Sequence, residues 1–203
     1  MKEASNLPTE EDPLGALRRS LNSSAAEIAM APIKDVRDLL VHELERAENT
    51  EIQGAAMLRR FVIATSSPRL QTLLQQRIHE GERVSSDIRG ALEQYSSRHR
   101  QVGNRAASVL IWQNERLLKR AGNPEVRDII ILSGAQKLQH YCLSCWGTLR
   151  LLAKLLNDKE IALHLKAAIE EGQRWDRQLT DYALSGRERI IFADKHQTSA
   201  RKA

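Results

Sequence analysis

The segment 124–156 places the strongest constraint on how this chain folds. Its apolar side chains recur three and four residues apart, the spacing of one face of an α-helix. Asn123 suits a helix start and Asn157 suits a helix end, so the segment predicts a helix about 45 Å long. Such a helix can bury its apolar face only against partners of similar length. The predicted stripe consists of Ile129, Leu132, Ala135, Cys142, Trp146, Leu149, Ala153 and Leu156.

Three other segments have the same periodicity and supply those partners. Long helices are predicted over residues 32–65, 68–97 and 158–184, and a shorter helix is predicted over residues 105–120. Short connections make successive long helices antiparallel. The predicted fold class is therefore all-α: a four-helix bundle with one additional short helix between the second and third long helices.

The composition agrees with a helical fold and sets the domain boundaries. Aromatic residues make up only 4% of the 203 residues, which favours helices rich in leucine and alanine over a β fold. Residues 1–31 lack a sustained period, and residues 186–203 are basic. We therefore expect a mobile N-terminal arm, a bundle over residues 32–185 and a flexible basic tail.

The N-terminal sequence, the lengths of the apolar runs and the charge distribution together predict a cytoplasmic protein without membrane or nucleic-acid partners. The N-terminal sequence MKEASNLPTEEDP has acids where a signal peptide has an apolar stretch, and no apolar run approaches the ~20 residues of a membrane span. The net charge of +5 is mostly spread along helices in alternation with acids. The tail is the exception, and it carries a separate hypothesis of binding to nucleic acid or an acidic partner through Arg187, Arg189, Lys195, Arg201 and Lys202.

Several polar residues fall on helix faces that should be buried. Glu51 stands in the apolar stripe of the first helix, and Gln139 stands in that of the central helix. A carboxylate facing inward costs several kcal/mol unless it is paired, protonated or bound to a metal. One explanation is that a frayed bundle end or an arginine partner satisfies Glu51. Arg77 and Glu80 line the second helix three residues apart, so they could also pair with each other.

A metal site is the other explanation for these residues. Helical bundles hold metals when carboxylates from several helices project inward, and oxygen ligands with some imidazole suit iron or manganese. The candidate ligands are Glu51, Glu80, Glu171 and Asp176, with His79, His140 and Cys142 as additional candidates.

Cys142 and Cys145 form a C-x-x-C pair on one helix face. Both lie in mid-helix, away from a helix start that would lower the pKa of a thiol. Buried thiols are therefore expected, with redox or soft-metal use as the alternative. Trp112, Trp146 and Trp175 are expected to pack in the core or in a dimer interface.

The central segment resembles the YciF/YciE family of ferritin-like bundles. It reads EVRDIIILSGAQKLQHYCLSCWGTLRLLAKLL, against a family pattern of approximately EVRD-aliphatic-AAQ-x-VEHYEIA-x-YGTL-x-x-LA-x-x-L. HEL at 42–44, ATSSPRL at 64–70, IHEGE at 78–82 and AIEEGQRWDRQLTDYA at 168–183 match further family segments. The resemblance covers about residues 33–185. It implies a ferritin-like bundle with an interior metal site and an association with stress responses.

The sequence departs from the family pattern where the resemblance places the metal ligands. Gln139 and Cys142 stand where the family has glutamates, so one helix lacks two carboxylates. His79, Gly81 and Gly172 replace Glu, Thr and Glu respectively. Each anionic ligand that is lost removes one negative charge that would offset a divalent cation.

Two functional hypotheses follow. The first is a stress-associated structural or binding module whose interior metal site is degenerate, with iron, manganese or no metal left open. It is expected to be a homodimer and to be able to bind an unidentified protein partner. The second is oxidation or peroxide chemistry at a residual iron or manganese site.

Overall fold

The computed structural model describes residues 32–95 and 103–185, and within these ranges the chain is helical without strands. The chain divides into two units between Lys34 and Asp35, and all the helices described belong to the second unit. The all-α prediction is confirmed. The predicted N-terminal arm, the basic tail and its charged residues lie outside the described residues. The helices are α1 (Val36–Ala64), α2 (Pro68–Tyr95), α3 (Arg105–Leu118), α4 (Pro124–Leu155) and α5 (Lys159–Ser185).

The four long helices form a bundle with a closed ring of neighbours. Helix α1 packs along α2 and α4, and α5 packs along α4 and α2. The short helix α3 contacts α4 and α1, as expected for an insertion between the second and third long helices. A single apolar core runs through the bundle. Its largest fully buried side chains include Trp146, Trp175, Phe61, Leu40, Leu44, Met57 and Leu70.

Side-chain caps set where the helices begin. Asp35 accepts a hydrogen bond from the Asp38 backbone amide at 2.8 Å, so α1 begins at Val36, four residues after the predicted start. Asn123 and Asp158 cap α4 and α5 as predicted, and accept from the backbone amides three residues ahead at 2.8 and 3.0 Å.

The connection from α4 to α5 turns at Asn157. Its φ of 57° lies in the left-handed region, where asparagine is tolerated better than most side chains. The helix therefore stops at Leu155, and α5 can begin within a few residues. This tight turn sets α4 and α5 side by side.

Two residues that the helical spacing places on the core stripes, Val36 of the first long helix and Ile129 of the central one, are partly exposed, as is Trp112, which was expected in the core or in a dimer interface. Val36 occupies the first position of α1, Ile129 lies near the start of α4, and both are more than a third exposed because the neighbouring helices do not cover the bundle ends. Trp112 is 45% exposed, with the Arg116 guanidinium 5.1 Å from its ring. Trp146 and Trp175 are buried, and the Trp175 indole donates to the Leu73 carbonyl at 2.6 Å.

No helix in residues 32–95 and 103–185 combines the length and apolarity that a membrane span requires.

Candidate functional site

A buried group of polar side chains lies at the centre of the bundle. Glu51 comes from α1, Arg77 from α2 and Gln139 from α4, and each is at most 3% exposed. We call these three residues the central cluster. The helical period places each of them among core residues one turn away on its own helix, as the sequence predicted for Glu51 and Gln139.

The Arg77 guanidinium occupies the middle of the central cluster. Its Nη2 donates to Glu51 Oε2 at 2.9 Å, and its Nε donates to Gln139 Oε1 at 2.5 Å. The Trp146 ring centroid lies 5.3 Å from the guanidinium carbon, within the range of a cation–π interaction. One carboxylate, one amide oxygen and one aromatic ring therefore hold the same cation.

The charge on Arg77 is stable in this environment. Burial alone would lower the pKa of Arg77, but the negative charge of Glu51 acts in the opposite direction and the net pKa is raised. Burial, followed by the charge of Glu51, raises the pKa of the neighbouring Cys142 thiol well above its ordinary value. The centre therefore holds one cation, one carboxylate and a protonated thiol.

Glu80 and Glu171 lie beside the central cluster rather than in it, towards the surface between α2 and α5. Glu171 pairs with Arg83 and lies 4.0 Å from Arg174. Partial burial raises the pKa of Glu80, while the positive charge of Arg77 opposes that shift. Both carboxylates therefore belong to a partly solvated network with arginines.

Asp176 and the two candidate histidines make their charged contacts outside the central cluster, and Asp176 Oδ1 is buried without a hydrogen-bond partner among the described residues. His140 is largely exposed, and its Nε2 lies 3.4 Å from Asp176 Oδ1. His79 is 80% exposed and lies 3.6 Å from Glu82. Both imidazoles thus contact carboxylates other than Glu51, whereas Cys142 lies beside Glu51, so the predicted ligands fall into separate small groups.

These side chains do not fit a di-metal centre as they are placed. Across the two described ranges, no group of three or more His, Cys, Asp or Glu side chains could hold a metal ion. The Oε2 atom of Glu51 already accepts from Arg77, and Gln139 and Cys142 carry no charge. Metal binding by Glu51, Glu80, Glu171 and Asp176 therefore stays a prediction for direct metal analysis.

The two cysteines are free thiols, with Cys142 buried and Cys145 half-buried. Burial is the main cause that raises the pKa of each thiol. Since the thiolate is the reactive form, this environment suits the packing role expected for the pair better than redox chemistry.

Sequence reasoning missed a second polar site, centred on Asn104 at the start of α3. The Asn104 side chain is 1% exposed: its Nδ2 donates to Thr50 Oγ1 at 2.9 Å, and its Oδ1 accepts from Tyr141 at 3.0 Å and from the Ala107 amide at 3.2 Å. An asparagine directly before a predicted helix was the available signal.

Comparison with known proteins places the chain in a family. It is 28% identical to the protein YciF of Escherichia coli K12 over 154 residues, which cover 75% of this chain and 93% of YciF. The crystal structure of the E. coli stress protein YciF matches with a TM-score of 0.72 and 27% identity, over 77% of this chain and 99% of that one. YcfI of Rhodopseudomonas palustris matches with a TM-score of 0.69 and 22% identity, over 73% and 94% of the two chains. The sequence model of DUF892, a domain of unknown function, matches residues 35–190, and the chain therefore belongs to the DUF892 family.

Proposed function

We propose that this chain is a stress-associated bundle protein that acts as a structural or binding module, and that its interior metal site is degenerate. One observation carries the proposal: arginine side chains of the same protein already pair with two of the carboxylates predicted to bind metal. Glu51 pairs with Arg77, and Glu171 pairs with Arg83. The carboxylate of Asp176 faces His140.

The buried pair opposes the entry of a metal ion. A divalent cation that bound Glu51 through Oε2 would have to separate it from Arg77, and the guanidinium would then be buried without a counter-charge. Glu51 Oε1 is buried without a hydrogen-bond partner among the described residues, but a cation bound there would lie close to the guanidinium, which repels it. Breaking a buried ion pair by removing one partner typically costs about 3–5 kcal/mol. A metal ion would need additional anionic ligands to offset that cost, and the nearest α4 side chains, Gln139 and Cys142, are neutral.

The cellular part of the proposal rests on the similarity to the E. coli stress protein YciF. We propose a cytoplasmic homodimer that binds an unidentified protein partner. Exposed aliphatic side chains on α4 support an interface between subunits, because Leu151 and Leu155 lie one helical turn apart and are 57% and 60% exposed.

Metal analysis tests the proposal against iron- or manganese-dependent oxidation. The protein is purified without chelator, and its iron and manganese contents are measured beside those of a Glu51→Ala/Glu80→Ala double variant. We expect near-zero metal in both proteins. Stoichiometric metal in the unmodified protein that is lost in the double variant would overturn the degenerate-site proposal and favour the oxidation chemistry.

Two further variants make this comparison specific. Because Glu51→Ala/Glu80→Ala leaves Arg77 buried without its partner, circular dichroism is used to check that this variant is folded. The Glu51→Gln/Glu80→Gln variant removes the same two charges but retains the side-chain volume. Glu125→Ala/Glu170→Ala removes two exposed carboxylates instead. If this control loses as much metal as the Glu51/Glu80 variants do, the metal is bound at the surface and gives no support to an interior site.

A further inference from the structure

Two buried glycines lie against the central cluster. Gly81 is in the interior of α2, and Gly172 is in the interior of α5. Glycine is less favourable than alanine inside a helix, because the unfolded chain has more conformational freedom to lose. A buried helical glycine therefore indicates that a side chain from elsewhere needs the space.

The space at Gly81 is taken by the ion pair. A Cβ atom at this position would lie 2.6 Å from Arg77 Nη1 and 2.9 Å from Glu51 Oε2, closer than real Cβ atoms approach other atoms. The Glu51 carboxylate is fixed by the guanidinium and cannot move away without lengthening that bond. Any side chain larger than hydrogen at residue 81 would thus displace the pair.

The space at Gly172 is taken by the other two groups that hold the guanidinium. A Cβ atom there would clash with Gln139 Nε2 and would lie 2.8 Å from Trp146 Cζ3. By contrast, a Cβ atom at Gly90 of α2 or Gly147 of α4 would meet nothing within 4 Å. Only some of the helical glycines therefore provide room, and Gly81 and Gly172 provide it for different groups around the same cation.

We propose that the centre of the bundle is a guanidinium-binding site, with Arg77 as its resident ligand. Glu51 and Gln139 supply the acceptors, Trp146 supplies the aromatic face, and Gly81 and Gly172 supply the space. A flat cation with N–H donors along its edges suits one carboxylate, one amide oxygen and a ring face. A divalent metal ion requires more anionic oxygen ligands than this site has. The inference rests on the proposed structural function, in which the guanidinium of Arg77 occupies the place of a metal ion at the centre of the bundle.

Chemical rescue tests the site. An Arg77→Ala variant should lose about 10 °C in Tm, because Glu51 is left buried without a counter-charge. Guanidinium or methylguanidinium chloride at low millimolar concentration should restore several degrees of that loss in a saturable way, as expected for ligands that bind only the folded state. Tetramethylammonium and Mn²⁺ at the same concentrations should restore none. The unmodified protein should show no gain with any of these cations.

Matched variants show whether a rescue is specific. Arg83→Ala removes the exposed arginine that pairs with Glu171, and its Tm should not respond to guanidinium. Adding Gly81→Ala to Arg77→Ala should abolish the rescue, because the new methyl group would lie 2.6 Å from the position of Nη1, too close for a bound guanidinium. Absence of any rescue, an equal rescue of Arg83→Ala, or a rescue by Mn²⁺ instead of guanidinium would each overturn the proposal.

The glycines provide a test if Arg77→Ala fails to fold. In the otherwise unmodified protein, Gly81→Ala and Gly172→Ala should each lower the Tm, whereas Gly90→Ala should raise it slightly because its site is open. A similar change in all three variants would overturn the inference. These outcomes are separate from those of the metal analysis: metal in the unmodified protein would refute the degenerate site, and a failed rescue would refute the guanidinium site alone.

Discussion

At the scale of single residues, Glu80 is the carboxylate whose ionisation the fold opposes. Partial burial raises the pKa of Glu80 above its ordinary value of 4.5, and Arg77 and Arg83 only partly offset the effect. The folded protein therefore holds this proton more tightly than the unfolded chain does. As the pH rises from 4.5 through the higher pKa of the folded state, the contribution of Glu80 to stability falls.

Replacing Glu80 with glutamine should remove the loss of stability that ionisation of Glu80 causes as the pH rises. Near pH 7 we expect Glu80→Gln to be more stable than the unmodified protein by about 0.5 kcal/mol or less, since a half-exposed group is well screened. Urea unfolding at about pH 4 and pH 7 measures the difference for both proteins. Glu170→Gln, on the exposed face beside Lys166, is the control. If Glu80→Gln is clearly less stable than the unmodified protein at pH 7, the prediction is wrong and the ionised Glu80 side chain stabilises the folded state.

The central cluster shows what the sequence can and cannot predict about single residues. The helical period was enough to place Glu51 and Gln139 inside the bundle, and an arginine partner for Glu51 was one of two explanations. The period could not choose between Arg77 pairing with Glu80 on its own helix and pairing across to α1. That choice depends on rotamers and on the room at Gly81, which only the packed structure defines.

At the scale of secondary-structure elements, α3 depends on one residue for its position. Asn104 caps α3 and also bonds Thr50 of α1 and Tyr141 of α4, so it joins three helices. The corresponding residue at the start of α4, Asn123, caps its own helix. Comparing variants of Asn104 and Asn123 therefore separates the effect of helix capping from that of hydrogen bonds to other helices.

Asn104→Ala should cost roughly 2–3 kcal/mol of unfolding free energy, because it removes the cap and leaves the Thr50 and Tyr141 hydroxyls without this partner. Asn123→Ala should cost only about 1 kcal/mol. Hydrogen exchange should also quicken throughout α3 in Asn104→Ala. Equal costs for both variants, with α3 exchange unchanged, would mean that Asn104 does no more than cap its helix.

The helices themselves were largely predictable, and their ends were less so. Capping residues with oxygen side chains fixed the starts of α4 and α5 correctly. For α1, the proline at residue 32 suggested a start that Asp35 in fact sets. The path of α3 across α1 and α4 could not be predicted, because its anchors are single polar residues far apart in sequence.

At the scale of the whole molecule, the expected assembly is a dimer. Light scattering at micromolar concentration should give twice the monomer mass of 23.0 kDa, and a monomer mass would remove this part of the proposal. A Leu151→Glu/Leu155→Glu variant should shift the protein towards monomer by placing charges in the α4 face. Ile63→Glu, on the exposed side of α1, should leave the mass unchanged. If both variants remain dimeric, the assignment of the dimer interface to the α4 face that carries Leu151 and Leu155 is wrong.

A cation that belongs to the polypeptide also changes how the protein matures. Metalloproteins must acquire their ion during or after synthesis, and where folding requires the ion, the folded fraction follows its supply. In the proposed degenerate site, the charge that faces Glu51 is translated with the rest of the chain, so we expect the bundle to assemble without a metal-loading step. Under metal-limiting conditions we therefore expect the yield of folded protein to be independent of the metal supply.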